Sequence, residues 1–127
     1  MTLKPFTIAL FVGLVGWWMV ACSPPSVDPP ADTGPVRNIT ATEFKFSPGD
    51  QTFKSGEKYT INLTNQGAVD HTWVLTDSSG AELVKLEVKV GKKSSIEFTA
   101  PAPGAYAIIC DVAGHKEAGM KAKATVQ

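Results

Sequence analysis

The sequence predicts an all-β domain, an antiparallel sandwich of seven or eight short strands. Three observations carry this. Apolar and polar residues alternate over short runs instead of recurring at helical spacing. Turn signals rich in Gly, Pro, Asn and Asp separate those runs, at about the 8–12-residue spacing of sandwich proteins. The 127-residue chain, less an apolar leader and a proline-rich stretch, leaves room for one domain. At that size a chain still buries roughly 60–70% of its unfolded surface.

The elements follow in order. Residues 39–46 are rich in β-formers and end at Ser47-Pro48-Gly49-Asp50, a strong turn signal. Tyr59, Ile61 and Leu63 alternate with Thr60, Asn62 and Thr64 until Asn65-Gln66-Gly67 stops the strand. Residues 72–76 form a β-rich run closed by Asp77-Ser78-Ser79-Gly80. In residues 83–90, Val84, Leu86, Val88 and Val90 alternate with charged partners, a strand pattern whose residues would also tolerate a helix. Ile96 and Phe98 alternate with Ser95, Glu97 and Thr99, and Pro101-Ala102-Pro103-Gly104 turns the chain. Residues 105–110 are apolar throughout, which fits a central strand covered on both faces. Residues 121–126 close the domain.

The N-terminus addresses the chain. Lys4 precedes an almost unbroken apolar run over residues 6–20, about as long as a signal-peptide core and short for a bilayer-spanning helix. The run ends in Met19-Val20-Ala21-Cys22-Ser23, which resembles a bacterial lipobox, with Met19 in place of the more usual Leu. Residues 1–21 therefore read as a lipoprotein signal peptide, and Cys22 as the lipidated first residue of the mature protein. Two or more acyl chains anchor stably where one does not. An uncleaved anchor helix is the alternative. Either reading puts the folded part outside the cytoplasm, in the periplasm or on the outer surface, tethered to a bacterial membrane. Residues 22–35 then form the lipidated cysteine and a linker holding five of the nine prolines, an extended spacer that cannot bury a core. Residues 36–127 are the folded domain.

Composition excludes several functions. Without Lys4 the chain has eleven basic and twelve acidic residues, so no field of one sign favours nucleic acid. There is no internal repeat, Gly-rich phosphate loop or nucleophile elbow. Lipidation of Cys22 leaves Cys110 as an odd cysteine in an exported protein, which calls for a metal-ligand role or a pairing partner. A Cys22–Cys110 disulfide is the competing pairing.

The remaining scarce residues converge on one run. His71 and His115 are the only histidines, and Met120 is the only methionine beyond the leader. Cys110, His115 and Met120 share the segment Cys110-x₄-His115-x₄-Met120, and His71 opens the run at 72–76 just after a turn. A sandwich can bring a strand start and a strand-end loop together at one end. Gly114 and Gly119 stand directly before His115 and Met120, where a tight loop must bend. A thiolate, two imidazoles and a thioether are the ligand set of a mononuclear blue-copper centre. Taken singly, each residue has a blander role: a satisfied histidine, a buried thiol, a methionine filling the core. Zinc is the alternative ion, but methionine is a poor zinc ligand.

On these residues the domain resembles the cupredoxin family, which includes plastocyanin, azurin, rusticyanin, sulfocyanin and auracyanin. The resemblance spans roughly residues 36–127 and is specific at Asn65…His71 and at the Cys110–Met120 loop. The spacing of that loop is closer to the rusticyanin and sulfocyanin type than to plastocyanin. The resemblance implies a Greek-key sandwich with one copper per chain, with His71, Cys110 and His115 as strong ligands and Met120 as the weak axial one. It also implies an electron carrier rather than an enzyme, with His115 nearest solvent as the electron port. Thr72 departs from the Asn that many members place after the first histidine, and Ala113 from their Pro before Gly-His. Asp70 and Asp111 adjoin ligands. Either would lower the potential if it faced the metal, although alternation could turn both to solvent.

The expected function is a monomeric, membrane-tethered shuttle passing one electron between redox proteins such as cytochromes or oxidase- and reductase-type complexes. Ala113, Gly114, Ala118 and Gly119 would form a small apolar patch rimmed by Lys116, Lys121 and Lys123 and opposed by Glu117. That rim favours salt-sensitive docking to acidic partners, or else serves only to blunt an edge strand. Trp73, two residues after His71, shares its face and reads as core packing. A periplasmic copper carrier or chaperone is the main alternative. A copper enzyme would need further histidines, and the dinuclear copper domain of cytochrome oxidase a second loop cysteine.

Overall fold

The structure, a computed structural model, describes residues 34–127. The segments expected to be the signal peptide, the lipidation site at Cys22 and nearly all of the linker lie outside the described residues. Nine strands build the domain: β1 (Val36–Thr42), β2 (Lys45–Ser47), β3 (Gln51–Phe53), β4 (Lys58–Asn65), β5 (His71–Thr76), β6 (Glu82–Val88), β7 (Lys93–Thr99), β8 (Gly104–Ile109) and β9 (Lys121–Val126). No described helix is long and apolar enough to cross a membrane.

The expected all-β sandwich is present. One sheet has the order β2-β1-β4-β7 and the other β3-β9-β8-β5-β6. Most neighbours are antiparallel, but β1 pairs parallel with β4 and β3 parallel with β9. Between the sheets, Ile39, Phe53, Ile61, Leu63, Trp73, Leu75 and Ile108 are almost wholly buried. β4 buries Tyr59, Ile61, Leu63 and Asn65 and turns its intervening residues outward, the alternation its sequence shows. Trp73 belongs to this core and packs against Phe98, with ring centroids 6.0 Å apart.

Three local expectations change. The run at 39–46 is not one strand: the chain turns at Glu43-Phe44, and β1 and β2 pair as a hairpin with Thr42 opposite Lys45. Glu43 uses its carboxylate to bind backbone elsewhere, and Phe44 stands 41% exposed, so neither continues the inward alternation. β3 was not expected, because three residues are too few to show a period. Residues 82–88 form the strand their alternation predicts, and pairing with β5 and burial of Leu86 and Val88 override any helical propensity. β8 is central in its sheet, as expected, but Ala105 is exposed and only Ile108 is fully covered. The strand buried along its whole length is β5, flanked by β6 and β8.

The β5–β6 turn is organised by Asp77, whose Oδ1 accepts from Ser79 Oγ (2.6 Å), Ser79 N (2.8 Å) and Ala81 N (3.0 Å). The Ser79 hydroxyl first, then the Ala81 amide, holds the Asp77 carboxyl below its usual range. Its stabilising contribution is therefore complete above the unfolded pKa of about 3.9 and disappears as pH falls through the lower folded value. Asp77→Ala should lower the melting temperature at pH 7, and thermal melts should show that deficit shrinking below pH 4. A deficit that persists undiminished at lower pH would contradict this role.

Candidate metal centre

The antiparallel register of β5 and β8 sets Val74 opposite Ile109. Continued by a few residues, it brings the start of β5 beside the end of β8, and so His71 beside Cys110. The chain then makes a compact loop. Its ends are joined by a bond from Cys110 N to Met120 O (3.1 Å), and Met120 N donates to His115 O (3.0 Å). Gly114 and Gly119 adopt φ of +83° and +101°, a region costly for residues with a Cβ, as their places before His115 and Met120 anticipate.

His71, Cys110 and His115 come together with one ligand atom from each, all within 4.8 Å of one another. Cys110 Sγ lies 3.4 Å from His115 Nδ1 and 4.0 Å from His71 Nδ1. His71 and Cys110 are essentially sealed, and His115 keeps 8% exposure. Met120 is wholly buried, and its backbone ties it to both Cys110 and His115. Burial first, then the nearby His115, pushes the His71 pKa down, which keeps its imidazole in the neutral, ligating form.

Thr72 ties the start of β5 to the ligand loop. Its amide approaches Cys110 Sγ at 3.4 Å. Its hydroxyl donates to Asp111 Oδ1 (2.7 Å) and accepts from Asp111 N (2.9 Å), clamping β5 to the start of the ligand loop. Asn65 braces the preceding turn, donating to Val69 O (2.7 Å) and accepting from Gly67 N (2.8 Å). The two carboxylates next to ligands are each engaged by a lysine: Asp111 by Lys85 (2.7 Å) and Asp70 by Lys89 (2.9 Å). Those lysines are the leading cause holding both carboxyls below their usual range.

Sequence reasoning missed two neighbours of the site. Phe44 packs edge-on to His115, with ring centroids 5.1 Å apart at 72°. Glu43 Oε1 lies 3.6 Å from His71 Nε2. Both sit in the β1–β2 turn, far upstream of the ligands, and that turn was itself hidden inside a β-rich run.

The donors suit a single transition-metal ion. An ion bound at about 2.3 Å from a thiolate and 2.0–2.1 Å from an imidazole, at trigonal angles, needs its sulfur and nitrogen ~3.7 Å apart. The 3.4 and 4.0 Å separations bracket that value. A buried thiolate with two neutral imidazoles is a soft, three-donor set.

The model of the cupredoxin-like domain family matches residues 11–126. No curated protein matches the sequence. Among solved structures, the chain is similar to auracyanin B, at 23% identity and a TM-score of 0.69 over 76% of this chain and 92% of that one. It is similar to the dithionite-reduced auracyanin of the photosynthetic bacterium Roseiflexus castenholzii, at 21% identity and a TM-score of 0.67 over 75% and 98%. A third likeness is to auracyanin A, a "blue" copper protein of Chloroflexus aurantiacus, at 24% identity and a TM-score of 0.66 over 72% and 98%. At these identities the likeness is one of fold.

Thr72→Val keeps the shape of the clamp but strands the Asp111 amide and removes the donor to Asp111 Oδ1. It should cost about 1–3 kcal/mol in chemical denaturation, with Thr72→Ser recovering most of the loss. A valine variant as stable as the parent would remove the clamp from the account.

Proposed function

The chain belongs to the cupredoxin-like domain family, and we propose that it holds one copper ion and carries single electrons between redox proteins. The observation that carries this reading is the convergence of Cys110 Sγ and the two Nδ1 atoms in a buried cluster. His71, Cys110 and His115 would be the strong ligands and Met120 the weak axial one. Bound copper supplies a one-electron couple, and a thiolate, two imidazoles and a thioether suit both of its oxidation states.

The remaining work falls to the chain. Burial of the donors keeps water and exogenous ligands out. The Thr72 amide, pointed at Cys110 Sγ, withdraws charge from the sulfur. His115 is the more exposed of the two histidines, and its edge is the port for electrons. Around it lie exposed Ala113, Gly114, Ala118 and Gly119, with Phe44 against the ring. Lys116, Lys121 and Lys123 line one neighbouring groove, which also contains Asp50 and Asp77. This surface suits brief docking of a monomer to acidic redox proteins such as cytochromes or oxidase-type complexes, with rates that fall as salt rises. Rates with an acidic partner that do not change with ionic strength would exclude the basic rim.

The carrier or chaperone reading is weaker, because exchangeable sites are open and these donors are buried. An enzyme reading would need more histidines than the two in the sequence.

One equivalent of Cu(II) added to the protein should produce an intense thiolate-to-copper absorption band, bleached by ascorbate and absent in Cys110→Ala. A colourless product that binds Cu(I) and readily gives it up would favour the carrier instead.

We also propose that Cys22 is lipidated and holds the domain on the extracytoplasmic face of a bacterial membrane, with residues 23–35 as the spacer. The leader's apolar run and the lipobox-like end support this. In a bacterial host, the full chain should fractionate with membranes and Cys22→Ser should not. A serine variant that stays membrane-bound would favour an uncleaved anchor.

A further inference from the structure

We propose that Glu43 is a positioning residue for His71 and that its charge biases the redox couple of the site toward the oxidised state. The second half of this rests on the copper reading above.

With Nδ1 turned toward Cys110, the other ring nitrogen of His71 needs an acceptor. Nε2 is buried and has no hydrogen-bond partner among the described residues. The acidic oxygen facing it is Glu43 Oε1 at 3.6 Å, slightly beyond hydrogen-bond range. A carboxylate there favours the tautomer with hydrogen on Nε2 and leaves the Nδ1 lone pair free to bind a metal.

Glu43 is held in place rather than drifting at the surface. Its Oε1 accepts from Ala68 N (2.6 Å) and Val69 N (3.2 Å) in the turn that leads into His71. Gly67 leaves the space: a Cβ there would come within 2.9 Å of Glu43 Cδ and Oε2. One carboxylate thus braces the turn and faces the ring that the turn delivers.

Its charge also differs from that of its neighbours. Asp70 and Asp111 are each matched by a lysine, whereas no lysine or arginine among the described residues lies within ion-pair distance of Glu43. The Ala68 and Val69 amides both donate to its Oε1, an environment that favours the charged carboxylate. An unmatched negative charge one imidazole away from the site stabilises the more positive oxidation state.

The test uses two variants of the full chain. Glu43→Gln keeps an oxygen acceptor and the shape but removes the charge. Glu43→Ala removes both. In the metal-free protein, ¹⁵N NMR should find His71 with its hydrogen on Nε2 in the parent and in Glu43→Gln, and in a mixture of tautomers in Glu43→Ala. In the copper-loaded protein, Glu43→Gln should raise the equilibrium constant for reduction on the order of tenfold, which is about 59 mV for one electron. Its melting temperature and absorption band should stay near those of the parent. The proposal is overturned if Glu43→Gln leaves the potential unchanged, or if Glu43→Ala leaves His71 entirely in the Nε2–H form. The NMR measurement needs no metal, so a parent chain without the copper band would sink the copper reading while the positioning role was still decided.

Discussion

The structure depends above all on the antiparallel pairing of β5 with β8. His71 and Cys110 are 39 residues apart in sequence and meet because Val74 is fixed opposite Ile109. A slip of one residue would send every side chain of β5 to the other face. It would take His71 away from the thiol and Trp73 and Leu75 out of the core. One register thus serves both stability and chemistry, and β5 is buried along its whole length.

Around that pairing the site is fixed by bonds that do not involve the donor atoms themselves. Thr72 fastens β5 to the loop through Asp111, Asn65 braces the turn ahead of His71, and the Cys110–Met120 backbone bond closes the loop. The side chains are therefore positioned by contacts of the fold. Such an arrangement suits electron transfer, where little geometric change between oxidation states keeps the barrier low. The carboxylates at 70 and 111 are each paired with a lysine, which offsets their charge beside the ligands.

Much of this was legible in the sequence, because its signals were local and the residues scarce. Alternation in β4 and β7, the glycines before His115 and Met120, and the single available set of Cys, His and Met residues all mark their places without a structure. What stayed hidden depends on long-range geometry. The β1–β2 turn sits within residues of good β propensity, so nothing local marks it. As a result Glu43 and Phe44, which it delivers to the two histidines, carry no sequence signal. The parallel pairings of β1 with β4 and of β3 with β9 are likewise choices of the assembled sheets. The full burial of β5 comes from its neighbours rather than from its own composition, since Thr72 and Thr76 are polar residues with no periodic pattern around them.

The proposed site would present one donor set to copper in both oxidation states. X-ray absorption at the copper edge, recorded on the oxidised and then the dithionite-reduced protein, tests it most directly. One short sulfur and two nitrogen scatterers are expected in both states. Loss of an imidazole on reduction, or an added oxygen or nitrogen ligand on oxidation, would contradict it.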